Sequence, residues 1–271
     1  MRRAVWVAVA MSAALEGCTS VPDHTNPWLG YKYGSSCLTG TVSDCFDALR
    51  DTNVAWSYYT ALGVEDPDHY ELGNWLGDYG FPPNGVDAHA IYANLADLQF
   101  GRDMNCVQSG QKTSCYVVNY GPPPFGPGSG SWPDVTGALH DALNFGTPFG
   151  TVAMVYDAAR SEPNQVSFFA FGDKEEATAD GGTFTRHNAL LYSAALDSEG
   201  LKSVPRMCMA CHGGTYDTSS NTATGAKFLP FDVFSFRYPN EAGYSFDEQQ
   251  EALRKLNAAV AETNPGSPFE T

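Results

Sequence analysis

The chain has 271 residues, 43% apolar and 13% aromatic, enough to bury a real core and too apolar for a disordered segment. Its formal net charge of −16 repels phosphate and argues against nucleic acid as a partner. The acid is uneven: residues 18–200 hold 7 Lys+Arg against 22 Asp+Glu, and residues 201–271 hold 6 against 8. The acidic part suits a basic partner protein, and the change in balance suggests a functional boundary near residue 200.

The chain opens on Arg2 and Arg3, followed by an apolar stretch of 12 residues from Ala4 to Leu15. A charged start and a short apolar stretch are the parts of an export signal, here residues 1–17. The stretch falls short of the roughly 20 residues that a spanning helix needs. The sequence Leu15-Glu16-Gly17-Cys18 resembles the lipobox of bacterial lipoproteins. That resemblance implies lipidation of Cys18 and a membrane attachment through this N-terminal lipid. Glu16 departs from the pattern, since a small or apolar residue usually stands there; the rival reading is cleavage nearby that leaves Cys18 a spare thiol. Export to the periplasm is expected either way. Thr19 in place of an Asp implies attachment to the outer membrane.

Residues 18–36 are rich in Pro, Gly and Ser and read as a tether. From Thr41 to about Leu62, Val42, Phe46, Leu49, Val54, Trp56 and Tyr59 suggest an amphipathic helix. Residues 65–85 are turn-rich and read as a surface loop. Ala88, Ile91, Tyr92, Leu95 and Leu98 fall at helical spacing and predict a second helix over 86–99. Cys106 to Cys115 reads as a hairpin, with β-prone flanks around a Ser-Gly turn. Residues 121–133 contain too many Pro and Gly for helix or strand. A short helix is expected in 135–146, paired strands in 150–158 and 164–173, and a third strand from 189. Residues 245–264 are the clearest helix, with Ser245 and Glu248 as a capping box and Leu253, Leu256 and Val260 as its buried stripe. Helices and strands that do not alternate predict an α+β fold, of mixed helices and short antiparallel strands. The expected organisation is an acidic α+β region over 37–200 and a separate C-terminal segment over 201–271.

The residues that carry chemistry are Cys208-Met-Ala-Cys211-His212. Two thiols separated by two residues can add to the two vinyl groups of one haem, and the next histidine then reaches the iron from the same face. A structural zinc site would need a second close pair of ligands, and the remaining histidines, 24, 69, 89, 140 and 187, are isolated. A redox dithiol should open a helix, and Gly213-Gly214 follows directly. The motif resembles that of the c-type cytochromes, over Cys208–His212 and the residues around it. The resemblance implies one covalent haem c, held by Cys208 and Cys211 with His212 as the proximal iron ligand. The tally of seven cysteines supports it: Cys18 to a lipid, Cys208 and Cys211 to haem, and two close pairs, Cys37–Cys45 and Cys106–Cys115, to disulfides.

No Met or His follows His212 in the remaining 59 residues, where small single-haem cytochromes usually place the sixth ligand. A distal ligand would therefore come from upstream, with Met104 or Met154 as candidates and His89 and His187 leading the histidines, or the iron would be open. Phe234, Phe236 and Tyr238 alternate and suit either a haem neighbour or ordinary core; Lys227, Arg206 and Arg237 are candidates to meet propionates. The function expected is electron transfer at the cell envelope with a redox partner protein, by a carrier rather than a catalyst. The alternatives are an open-site haem protein (a peroxidase, oxidase or gas sensor) and a binding lipoprotein with an accessory haem. No G-x-S-x-G, H-E-x-x-H, P-loop or dinucleotide glycine pattern is present.

Overall fold

A computed structural model describes residues 51–264 except 84, 96–97, 122–133, 179–180 and 196–200. The expectations on residues 1–50, including the signal, Cys18, the tether, His24 and the Cys37–Cys45 pair, lie outside these residues. So does nearly all of the Pro/Gly-rich stretch.

Helix α1, Thr52–Leu62, begins where the Asp51 carboxylate accepts the Asn53 N–H at 3.0 Å and ends at Gly63 with φ +97°. It buries Tyr58 and Tyr59, while Trp56 stays on the outside. A short helix α2, Leu72–Asp78, stands where a loop was expected; its anchor is Trp75, fully buried among Tyr79, Phe81, Tyr116 and Phe169. Gly73 and Gly77 hide that helix from propensity, and one indole supplies what propensity lacks.

The main sheet has seven antiparallel strands: Phe236–Arg237 (β11) at one edge, then six strands in chain order. Six are consecutive: β1 Ala88–Asn94, β2 Gly101–Ser109, β3 Lys112–Tyr120, β4 Pro148–Asp157, β5 Val166–Ala177 and β6 Thr183–Leu190. The expected helix over 86–99 is thus a strand. Both faces of β1 are covered, so its burial does not alternate, and a strand of that kind loses the period of two that would reveal it. The hairpin is as expected, with Cys106 directly opposite Cys115 and a disulfide of 2.04 Å. The expected strands in 150–158 and 164–173 are β4 and β5, paired to each other. The third strand starts earlier than expected, as β6, and breaks at residue 191.

Short pairs follow: β7, Ser193–Ala194, with β8, Lys202–Ser203; and β9, Thr215–Asp217, with β10, Thr222–Thr224. The remaining elements are α3, Val135–Leu143; α4, Arg206–His212; the edge strand β11, Phe236–Arg237; and α5, Phe246–Glu262. In α5 the Ser245–Glu248 capping box is present and Leu253, Leu256 and Val260 are buried, as the periodicity predicts. The fold is α+β, with five helices among the described residues.

Directly opposed residues of antiparallel strands point to one face. One cross-strand row runs Ala88–Cys106–Cys115–Met154–Phe168, and its neighbour on the same face runs Ala90–Met104–Val117–Val152–Ala170. The opposite face carries His89–Asn105–Tyr116–Ala153–Phe169. That second face is covered by α2 and α3. A Cβ on Gly101 would stand 2.0 Å from the Ala138 carbonyl oxygen, so only glycine lets α3 this close. On the first face, Phe236 stacks on Tyr92 at 4.1 Å. No helix among the described residues is long and apolar enough to cross a membrane.

Candidate haem-attachment site

The cysteine–histidine motif forms a helix of its own, α4. Residues three and four apart share a helix face, so Cys208, Cys211 and His212 stand together. The face formed by Arg206, Met209 and Ala210 is buried, as is Met207. Cys208 and His212 are half-buried and Cys211 is exposed. Of the three chemical groups only Cys211 is open to solvent; Cys208 packs against the core and His212 lies between the two, on a helix fixed by its methionines. Met207 and Met209 are core residues.

His212 is held from two directions by a residue fifteen positions on. Its Nδ1 lies 2.9 Å from the Lys227 carbonyl oxygen, and the Lys227 N–H donates to the His212 carbonyl at 3.0 Å. A carbonyl only accepts, so Nδ1 carries the proton and Nε2 carries the lone pair suited to a metal. A backbone carbonyl that accepts from one ring nitrogen in this way fixes the tautomer and orientation of a ligating histidine. The two glycines after the motif make it possible. Gly213 and Gly214 have φ of +70° and +90°, and a Cβ on Gly214 would stand 2.6 Å from the Thr224 oxygen and 2.7 Å from the Ala226 nitrogen. The backbone must come this close for Lys227 to reach the imidazole. The His212 ring also meets Phe168, with centroids 5.7 Å apart.

Cys208 packs into an aromatic surround with Tyr58 and Tyr59, and burial pushes its thiol up to about 12. A thiol held protonated is a poor attacking group, which counts against a redox dithiol. Cys208 is not bonded to Cys211: Cys208 is a free thiol, whereas Cys211 is disulfide-bonded.

The sequence matches no protein-family model, and no similar curated protein or solved structure was found.

Met154 and Met104 both lie on the sheet face that carries Phe168, half-buried. Met154 is the direct cross-strand neighbour of Phe168, whereas Met104 stands two strands further along, beside Ala90 and Val117. The described histidines are engaged elsewhere. His89 Nε2 meets Asp103 at 2.8 Å on the opposite face and sits on a strand, not a helix. His69 pairs with Asp66 and His187 with Asp173, each at 2.8 Å, and His140 stands 3.7 Å from Asp141. Arg206 is buried with its guanidinium 5.4 Å from the Tyr216 ring centre, so it does not share the cysteine–histidine face of α4. Arg237 is exposed on the edge strand β11. Phe236 stacks on Tyr92, and Phe234 and Tyr238 both meet Phe246, with Phe234 87% exposed; only Phe236–Arg237 of this run is strand.

Sequence reasoning missed the Lys227 carbonyl, because a backbone acceptor leaves no mark on residue type. The glycine doublet was its only trace. Phe168 was equally invisible, being one apolar residue in a run of them.

Proposed function

We propose that this chain is a cell-envelope, single-haem c-type cytochrome that transfers electrons, with haem attached through Cys208 and Cys211 and His212 as the proximal ligand. The observation that carries this reading is the His212 imidazole, oriented by the Lys227 carbonyl on the helix face that also carries both cysteines. When bound, the haem would supply the redox-active iron, and the protein supplies attachment, orientation and a shielded surround. Met154 is the favoured distal ligand, because it adjoins Phe168, which touches His212. Export and lipidation at Cys18 remain part of the proposal, as does a basic redox partner.

A second reading has its own observation. Cys211 is disulfide-bonded, and one sulfur cannot hold both a disulfide and a thioether. The rival is an envelope lipoprotein whose C-terminal segment is stapled rather than haem-bearing. The deciding experiment is intact mass and a pyridine haemochrome spectrum of the protein exported from a cell that matures c-type haem. A mass increased by one haem supports the cytochrome. A haem-free mass with Cys211 oxidised overturns it in favour of the stapled form. In the haem-bearing protein, Met154→Ala should convert a low-spin spectrum into a high-spin one that responds to carbon monoxide, while Met104→Ala should not. A wild-type spectrum that already responds to carbon monoxide would point instead to an open iron.

A further inference from the structure

Three departures from regular backbone converge on one groove, away from the motif. The α3–β4 connection puts Phe145 in the left-handed region, φ +52°, with 79% of its surface exposed. A bulky residue at positive φ is strained, and an exposed aromatic gains nothing from burial in return. Across the groove, the β5–β6 pairing breaks register: Gly172 faces Ala189 and Lys174 faces Arg186. Two residues of β6, His187 and Asn188, therefore stand opposite one of β5, Asp173. That is a β-bulge, a device that re-aims side chains and recurs beside functional sites. Asn188 is itself left-handed, φ +55°.

All four residues line the same shallow, open groove of about 470 Å³ together with Thr147 and Pro148, and all six are exposed. The chemistry is specific in kind. Phe145 offers an exposed aromatic ring, Asn188 a carboxamide that both donates and accepts, and Thr147 a hydroxyl. Asp173 and His187 are joined at 2.8 Å through Nδ1, which fixes the imidazole and leaves each a second polar atom. No Lys or Arg lines the groove, so an anionic ligand finds no partner there.

We infer that the groove formed by Phe145, Thr147, Asp173, His187 and Asn188 binds a neutral saccharide, one apolar sugar face on the Phe145 ring and its hydroxyls on the bulge residues. Neither the haem reading nor its rival is needed for this inference.

The test is titration of the full exported protein with chitotriose and maltotriose, followed by amide NMR or calorimetry, with lysine as a cationic control. Binding of one trisaccharide is expected, with shifts confined to 144–148, 173 and 186–189. Phe145→Asn should weaken it at least tenfold while leaving the melting temperature unchanged or raised, because asparagine tolerates the left-handed conformation better. Asp173→Asn should weaken it severalfold with the fold intact. The inference is overturned if neither trisaccharide binds, if Phe145→Asn binds as well as the parent, or if lysine competes for the same shifts.

Discussion

Side-chain amides fasten this fold by standing in for missing strands. Gln249 is buried and pairs with both backbone groups of Ile91: the Ile91 N–H donates to its Oε1 at 2.7 Å, and its Nε2 donates to the Ile91 carbonyl at 2.9 Å. Asn257 repeats this on Phe231 at 2.8 and 3.1 Å. Replacing Gln249 with Ala leaves a buried N–H and C=O unpaired and should cost about 2–4 kcal/mol in denaturant unfolding, where an exposed glutamine such as Gln250 costs almost nothing. Gly214 is the corresponding backbone position at the site. Gly214→Ala combines a disfavoured φ with contacts to main-chain atoms at 2.6 and 2.7 Å, and should cost about 2–4 kcal/mol. If the haem is present, the same variant should disturb its spectrum, since the Lys227 carbonyl moves off His212. Asp68 gives a pH signature. The Tyr192 hydroxyl donates to it at 2.7 Å and is the main cause holding its carboxyl below the usual range. A depressed folded pKa stabilises above the ordinary aspartate value of about 4 and loses that stabilisation as pH falls through the lower folded value. Thermal melts from neutral to acid pH should therefore show Tyr192→Phe less stable than the parent near neutrality, the two curves drawing together below about pH 4.

At the level of elements, legibility followed exposure. The terminal helix α5 has one wet face and one dry face, so its period and its capping box were both readable, and the structure agrees with each. The disulfide hairpin was readable for a different reason: a glycine turn and two cysteines equidistant from it allow one register. Removing that bridge with Cys106→Ala/Cys115→Ala should cost about 2–3 kcal/mol through the closed loop it restrains. The strands should still pair, because seven further residue pairs hold β2 to β3 beyond the bridge and its turn-side neighbour. Strand β1 was misread, because Ala90, Ile91, Tyr92 and Ala93 are all buried and a two-sided burial has no period to read. Helix α2 was missed because two of its seven residues are glycine, and Trp75 fixes it from across the core.

The whole molecule carries −16. Self-repulsion of that size should make the fold sensitive to ionic strength, with the melting temperature rising as salt goes from ~10 to ~150 mM and the Debye length shrinks from roughly 30 to 8 Å. A melting temperature that falls with salt would mean that the ion pairs, such as Arg186 with Glu176 at 2.7 Å, outweigh the repulsion. The same potential would draw a basic redox partner if the cytochrome reading holds.

The sequence by itself determined the local pieces whose causes are local: the hairpin and its bridge, the capped terminal helix, the paired strands β4 and β5, and the spacing that puts two thiols and an imidazole within one turn. Only the tertiary structure decided that Cys208 packs inward and Cys211 faces solvent, because that depends on how Met207, Met209 and Ala210 find the core. It alone brought the Lys227 carbonyl to His212, through a close backbone approach that only Gly214 permits, and put Met154 beside Phe168, on strands that pair across a connection of eight residues. Contacts of that kind are set by sheet register and by backbone atoms, which every residue shares and no sequence pattern marks.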